Sequence, residues 1–527
     1  MKKLLALIIA VVSIACFSLT GCSGVKPLKD VSGNVESGNG TFLVEKGAYL
    51  YFVNGLGDFT VTNKMGDIEK GALMRVKKAD LASLSTATVE TVIPKLVTTS
   101  SATDGFYMYG DCVYFATAFD GKDKSGKVRS DYTDFVRFDL IKAKATRITY
   151  ETKKVTDYTF VQTGNAVTLA YVTSEKVDEV ETKGFKAYNA LNGELLVEEE
   201  SVASILMPSS LEEPYLGNYV FYTRKAHSEA LDQDEGYEEL YRYAMGDSES
   251  ELILSGVGSA ALGRDNNADI PSAKLFKKDG VLESITGLTF TLIQNTGKVL
   301  VFKTTDTDTN YSTSKYYYVE LENQGAKVAD FTGRICLGVS STWLDTAITA
   351  SSYYKSATEI YYVESSTYVD HLVKFDYSAN DPYNHGRTIL TDSVKGMNIA
   401  FVEDGKMYFI ESSAGNYYVL DYATAGAKAY KVNGSALKTA TDWFKPRVID
   451  NYFIGSYSAS IFNSYLYVID MTGIGGDEYE EAINAYASLD RDKVIALRGT
   501  LLGKMTEADQ TSYQETLDKD YPLKDEE

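Results

Sequence analysis

Tyr114-Phe115-Ala116-Thr117, then Phe135-Val136-Arg137-Phe138-Asp139, then Thr146-Arg147-Ile148-Thr149: three short runs in this order decide how the whole chain is read. Each is rich in aromatic and β-branched residues, alternates with period two, and is bounded by Gly, Asp, Asn or Ser. These are the marks of strands ending in turns. The order recurs. The first run returns as Tyr51-Phe52-Val53-Asn54, Phe221-Tyr222-Thr223-Arg224, Tyr361-Tyr362-Val363-Glu364 and Tyr408-Phe409-Ile410-Glu411, with weaker copies around Tyr171, Phe302 and Phe453. The second returns as Leu73-Met74-Arg75-Val76, Leu240-Tyr241-Arg242-Tyr243, Leu372-Val373-Lys374-Phe375-Asp376, Tyr417-Tyr418-Val419-Leu420-Asp421 and Leu466-Tyr467-Val468-Ile469-Asp470. Arg387-Thr388-Ile389-Leu390 repeats the third.

The anchors Phe52, Phe115, Tyr171, Tyr222, Phe302, Tyr362, Phe409 and Phe453 are spaced 63, 56, 51, 80, 60, 47 and 44 residues apart. A period of about 40–50 residues plus insertions, at roughly four strands per unit, fits a β-propeller. The expected fold is all-β: a propeller of seven or eight four-stranded blades over residues 42–471, with a short α-helical C-terminal segment. Residues 256–285 read as an insertion or a degenerate blade. A periplasmic-binding-protein fold would need long amphipathic helices between strands, and residues 42–470 offer none.

The Tyr-[Tyr/Phe] strand followed by a Leu-x-[Lys/Arg]-φ-Asp strand resembles the YWTD-type propellers, in particular the low-density-lipoprotein-receptor-like propeller of bacterial surface lipoproteins. In place of that family's Leu-Asp-Gly turn the chain has Lys78-Ala79-Asp80, Asn192-Gly193 and Met245-Gly246-Asp247. The resemblance implies that the aromatic strand is the second of its blade. The following loops, near 54–72, 117–134, 173–184, 224–239 and 303–315, would then share one face.

The two ends differ from the body. Lys2 and Lys3 precede an apolar stretch, Leu4 to Phe17, of signal-peptide length. Leu19-Thr20-Gly21-Cys22 follows and resembles the lipobox of bacterial lipoproteins. It implies cleavage after residue 21, lipidation of Cys22 and an extracytoplasmic, membrane-anchored protein. Loss of residues 1–21 would move the net charge from −21 to −23. Residues 22–41, rich in Gly and Ser, read as a flexible tether. Residues 472–527 read as a helical acidic tail. Helical spacing is expected over Asp477–Leu489 and Asp490–Leu502, and the capping-box pattern Thr506-Glu507-Ala508-Asp509 should open a helix running to about Leu517.

Composition excludes whole classes. The chain has 527 residues, pI near 4.8 and 52 basic against 73 acidic residues, so nucleic acid is not an expected partner. Three histidines leave little material for zinc or imidazole chemistry. His227, His371 and His385 read as surface or turn residues. There is no G-x-S-x-G, HExxH or P-loop. Cys112 and Cys336 could form one disulfide or remain two buried thiols. The 40 tyrosines are expected to fill the space between blades.

Candidate sites lie in the loops. The expected binding face carries Asp120, Asp123, Asp131 and Asp134 in one loop and Asp232, Asp234 and Glu235 in another, suited to cations or basic partners. Asp306, Asp308 and Asn310 have the alternate spacing that opens a calcium loop. Tyr311 and Tyr317 stand where an EF-hand has Gly and Glu. Ca²⁺ is the one cofactor considered. The leading functional expectation is a lipid-anchored binding propeller taking a protein, peptide or glycan. Its rivals are a carbohydrate-active hydrolase or lyase with carboxylates in the channel, and an envelope-assembly scaffold.

Overall fold

The computed structural model describes residues 25–55, 71–94, 96, 105–118, 132–177, 180–207, 218–228, 233–257, 273–278, 281–285, 290–295, 299–306, 313–321, 331–336, 353–355, 359–365, 368–376, 388–411, 416–432, 446–458, 464–484 and 499–520. Within these residues lie eight antiparallel four-stranded units. Blade 1 comprises Leu43–Lys46, Tyr49–Asn54, Ala72–Lys77 and Glu90–Ile93; blade 2, Tyr107–Tyr109, Cys112–Ala118, Thr133–Asp139 and Lys144–Glu151. Blade 3 comprises Lys154–Thr163, Ala166–Val177, Val180–Asn189 and Glu194–Val202; blade 4, Ser204–Leu206, Tyr219–Ser228, Gln233–Ala244 and Glu251–Val257. Blade 5 comprises Phe290–Asn295, Val299–Asp306, Thr313–Leu321 and Phe331–Cys336; blade 6, Tyr353–Lys355, Glu359–Ser365, Asp370–Asp376 and Thr388–Thr391. Blade 7 comprises Met397–Glu403, Lys406–Glu411, Tyr417–Leu420 and Tyr430–Lys431; blade 8, Arg447–Ile449, Tyr452–Ser458, Ser464–Asp470 and Thr500–Leu501. Blades 4 and 5 touch through one parallel bridge, Val257 to Phe290.

All eight anchors sit on the second strand of a blade, as the repeat requires. The anchors whose side chains are described, Phe52, Phe115, Tyr171, Tyr222, Tyr362, Phe409 and Phe453, are fully buried. Several stack across a blade boundary. Tyr171 lies 4.6 Å from Phe135 on the third strand of the preceding blade; Tyr222 lies 5.7 Å from Phe185, and Phe453 lies 5.1 Å from Tyr417. An aromatic side chain gains about 1.5–3 kcal/mol from full burial, and such a ring pair about 0.5–1.5 kcal/mol more.

The aspartate that ends the third strand has a local cause. Asp139 Oδ1 accepts the amides of Ile141 and Lys142, at 3.1 and 2.9 Å. Asp421 and Asp470 do the same for Ala423 and Thr472, and Asn189 for Leu191. These are Asx turns that start the last hairpin of the blade. Just beyond the third strand, an amide also reaches back to the first turn: Lys78 to Ala48, Leu140 to Asp111, Ala190 to Val167, Met245 to Asn218 and Met471 to Asn451. The first-to-second and third-to-fourth connections of each of these blades therefore lie at one end, and the second-to-third connections lie at the other.

Blade 8 packs on blade 1. Ile454, Leu466, Val468 and Leu502 share one apolar cluster with Leu43, Phe52 and Met74. Asn54 bonds both the carbonyl and the amide of Lys504, at 2.8 and 2.9 Å. Buried Arg447 on the first strand of blade 8 binds Glu403 on the first strand of blade 7, at 2.8 Å from Nε, and approaches the Leu43 carbonyl of blade 1 at 3.5 Å. One side chain thus ties three blades near the axis.

Two expectations change, and one pair of alternatives resolves. Residues 25–41 are not a loose tether. Val35–Ser37 pairs with the first strand of blade 1, Asn39 accepts the Met108 amide at 2.6 Å, and Val31 is buried. Gly and Ser here serve tight turns: a Cβ at Gly33 would meet the Gly47 backbone at 2.6 Å. The helix expected over 490–502 gives way at Thr500–Leu501, which pairs with Tyr467 and Val468 as the last strand of blade 8. Residues 256–285 hold an inserted hairpin, Ala273–Lys278 with Val281–Ile285, rather than a blade. Helix α1 (Asp477–Asn484) and helix α2 (Glu507–Asp520) follow blade 8's third and fourth strands. The capping box forms in part. Thr506 Oγ1 accepts the Asp509 amide at 3.2 Å, while the Asp509 carboxylate binds the buried Tyr465 hydroxyl, which itself accepts the Thr506 amide. Among the described residues no helix is long and apolar enough to cross a membrane.

Arg447→Met would leave the half-buried Glu403 carboxylate with the Val448 amide but without its cation, and should cost about 1–3 kcal/mol. Adding Glu403→Gln should recover part of that loss. Denaturant unfolding of the two variants checks both statements.

Candidate functional site

The second-to-third connections are a candidate binding face, because they share one end of the ring and range from two residues in blade 3 to long loops in blades 1 and 2. Only those of blades 1 and 2 are long: the second strand ends at Asn54 and Ala118, and the third begins at Ala72 and Thr133. In blades 3 and 4 the strands run almost to the tip, and Val177 pairs directly with Val180 and Ser228 with Gln233. The sequence 173–184 therefore forms mostly strand rather than loop. Alternating Thr, Ser, Lys and Val suit a projecting hairpin, one side exposed at each step.

The expected site residues separate. Asp120, Asp123 and Asp131 fall outside the described residues, as do Asp232, Asp308, Asn310 and Cys22. Asp134 is not an exposed ligand group. It is fully buried on the third strand of blade 2, and Arg147 of the fourth strand grips both its oxygens at 2.8 Å. Its neighbours in sequence do not make an acidic patch either, since Lys122, Lys124, Lys127 and Arg129 are interleaved with the three aspartates. Asp234 and Glu235 lie in the third strand of blade 4, with Asp234 opposite His227. From Glu229 to Glu239 the sequence has six acidic residues and no basic one, so this hairpin is where negative charge concentrates. Asp306 ends the second strand of blade 5, opposite Thr313. Among the described residues no group of three or more His, Cys, Asp or Glu could hold a metal.

Sequence reasoning missed a different arrangement, at the boundaries between blades. Glu151, at the end of blade 2, is buried. One oxygen accepts the amides of Thr152 and Lys153, at 2.7 and 3.0 Å, and the other takes the Tyr171 hydroxyl at 3.1 Å and the Lys186 ammonium at 3.0 Å. Burial alone would raise its pKa. The Lys153 and Thr152 amides and the Lys186 charge outweigh it and hold the carboxyl below the ordinary value of 4.5. Burial and the Glu151 charge in turn push the Tyr171 phenol far upward. The next boundary repeats the plan. Glu199 accepts the Tyr222 hydroxyl at 2.8 Å and Arg224 at 3.1 Å, and Arg224 lies 4.2 Å from the centre of the Tyr241 ring. The signal was present: both blades carry Tyr rather than Phe at the anchor, with a glutamate some twenty residues earlier.

Near the axis, Glu45 of blade 1 binds Lys78 at 2.6 Å and Glu403 binds Arg447. The added strand Val35–Ser37 lies on the inner edge of blade 1, where Ser37 also bonds Glu45 at 2.9 Å. Lys46 is buried there and donates to the Gly33 carbonyl; burial lowers its pKa. Cys112 is a free thiol. His371 contacts Asp392 at 2.5 Å at the blade 6 edge.

No protein-family model matches the sequence, and no curated protein matches it. Among solved structures, the acylaminoacyl peptidase of Pyrococcus horikoshii aligns with 82% of this chain at 10% identity and a TM-score of 0.37, and the chain spans 58% of that peptidase's length. The β-propeller domain of the Trilobed protease from Pyrococcus furiosus aligns with 73% of this chain, over 94% of its own length, at 10% identity and TM-score 0.32. The polysaccharide lyase Uly1 aligns with 78% of this chain, over 92% of its own, at 10% identity and TM-score 0.31. These are likenesses of backbone architecture and say nothing of activity.

Glu151→Gln keeps the shape of the side chain and removes its charge. At about pH 7 it should lower stability by roughly 1–3 kcal/mol. Because the folded carboxyl titrates below its unfolded value, this contribution is present above about pH 4.5 and fades as pH falls through the folded value. The gap between variant and parent in urea unfolding should therefore shrink on going from about pH 7 to about pH 3.

Proposed function

We propose that the chain is a lipid-anchored extracytoplasmic β-propeller that binds a protein, peptide or glycan on the face where second and third strands connect. The carrying observation is the segregation of connections. In blades 2 and 3 one end is closed by tight, hydrogen-bonded turns, while the opposite end of the ring carries the long second-to-third connections of blades 1 and 2 and the acidic hairpin of blade 4. The lipobox-like Leu19-Thr20-Gly21-Cys22 behind an apolar stretch supports the anchor. Six acidic residues from Glu229 to Glu239 favour a ligand bearing positive charge on that quarter of the face. Glu45 and Glu403, on the first strands of blades 1 and 7, are held by Lys78 and Arg447, a structural use of these two carboxylates.

Two measurements check this reading. Metabolic labelling with palmitate should mark the parent chain, and Cys22→Ala should abolish the label and release the protein from membranes. On peptide and glycan arrays, the mature chain should bind ligands that weaken by about tenfold or more when Asp232, Asp234 and Glu235 become Asn, Asn and Gln. Their affinity should fall with rising salt. Array binding unchanged by these substitutions would remove the acidic hairpin from the site.

A further inference from the structure

The short-turn end of the ring is not uniform. The residue two places after the turn-starting Asp or Asn is Ala423 in blade 7 and Thr472 in blade 8, and the matching residue in blade 4 is Gly246. In blades 2 and 3 it is Ile141 and Leu191, which are 48% and 43% exposed. Their amides are fixed to Asp139 and Asn189, so the turn geometry presents both side chains outward. Arg137 donates to the Leu191 carbonyl at 3.4 Å and links the two turns. Lys142, beside Ile141, is 74% exposed.

The N-terminal segment enters at this same place. The Leu28 amide donates to the Leu140 carbonyl at 3.0 Å, one residue from Ile141. Lys26 and Lys29 flank it and are exposed, and Lys144 follows in the same hairpin. Asp30, Asp111 and, in the Leu191 turn, exposed Glu194 are the nearby acids, and Asp139 is taken up by its own turn and by Lys142 at 2.8 Å. Four lysines and two aliphatic tips thus surround the entry point in a chain whose net charge is −21. Cys22 is three residues before Val25, a span of about 10 Å when fully extended.

We propose that the turn end of blades 2 and 3 is the surface that lies on the bilayer. Ile141 and Leu191 enter the headgroup layer, Lys26, Lys29, Lys142 and Lys144 meet anionic headgroups, and the connecting face of the ring points away from the membrane. The inference rests on the lipidation of Cys22 and adds the orientation. An exposed aliphatic tip gains by leaving water, and lysines gain beside anionic lipid. With only three residues of slack, the anchor and these groups reach the same surface together.

The test uses the full lipidated chain in vesicles of phosphatidylethanolamine and phosphatidylglycerol in roughly equal parts, modified with a membrane-impermeant amine reagent and read by mass spectrometry. Lys142 should react several-fold more slowly in vesicles than in detergent. Lys176, exposed near the connecting face of blade 3, should react equally in both. Ile141→Ser with Leu191→Ser should restore most of the Lys142 rate while the lipid stays on. Equal Lys142 rates in vesicles and detergent, or slowing at Lys176 instead, would overturn the orientation. Slowing at Lys142 that persists in detergent would point to a protein contact and would also overturn it. A missing lipid on the N-terminal peptide, or failure to float with the vesicles, would mark failure of the lipidation reading itself.

Discussion

The wedge of an aromatic ring between consecutive blades is the contact on which the rest of this molecule depends. A four-stranded sheet buries little by itself and has two faces to cover. The second-strand anchor fills that space by lying against the third strand of the blade before it, as Tyr171 does on Phe135 and Tyr222 on Phe185. Each blade is completed by its neighbour, so no blade is a folding unit alone. The same logic accounts for the tyrosine content. A phenol packs like Phe over most of its area and then delivers a hydroxyl to a polar group of a neighbouring blade, as Tyr109 does to the Phe160 carbonyl and Tyr158 to that of Gly105.

A ring built this way must also close on itself. Many chains close a propeller by sharing one blade between the two termini. Here each described blade draws its four strands from one continuous stretch, and blade 8 completes itself with Thr500–Leu501 after the excursion through α1. Closure then falls to side chains and core. Arg447 spans blades 7, 8 and 1, Asn54 takes both backbone groups of Lys504, and Leu502 enters the blade 1 cluster. The strap at 25–41 reinforces the seam, since it pairs with blade 1 and accepts from blade 2. A buried charge is costly unless fully paired, and Arg447 meets that condition with Glu403.

What could be read from the sequence follows the range of the interaction that encodes it. The anchors and the Asp-ended third strand repeat within each unit. Their causes, burial of one ring and capping of one turn, act over a few residues, so all eight second strands were legible. The loops were harder. Charged residues in 173–184 and 224–239 look like loop sequence, yet in a hairpin projecting beyond the ring the solvent tolerates them on both sides. The strap was misread for a related reason: its glycines are needed for close backbone approach, as at Gly33 and Gly47, and not for freedom. Asp134 reads as a surface residue because its partner Arg147 lies a whole hairpin away. The helix over 490–502 failed at its end because pairing with Tyr467 and Val468 overrode local spacing.

The boundary carboxylates explain how a strongly acidic chain keeps its blades together. Glu151 and Glu199 are placed where two blades meet, and each is satisfied by a phenol and a cation from the next blade. Carboxylates used in this way add no repulsion between blades, because each is matched before it can act at a distance. Acidic residues are densest in the sequence from Glu229 to Glu239, at the blade 4 hairpin, where Glu239 accepts the Tyr241 hydroxyl at 2.6 Å. A ring whose blades are joined by packed aromatics and matched charges at their boundaries places few of those contacts on its connecting face.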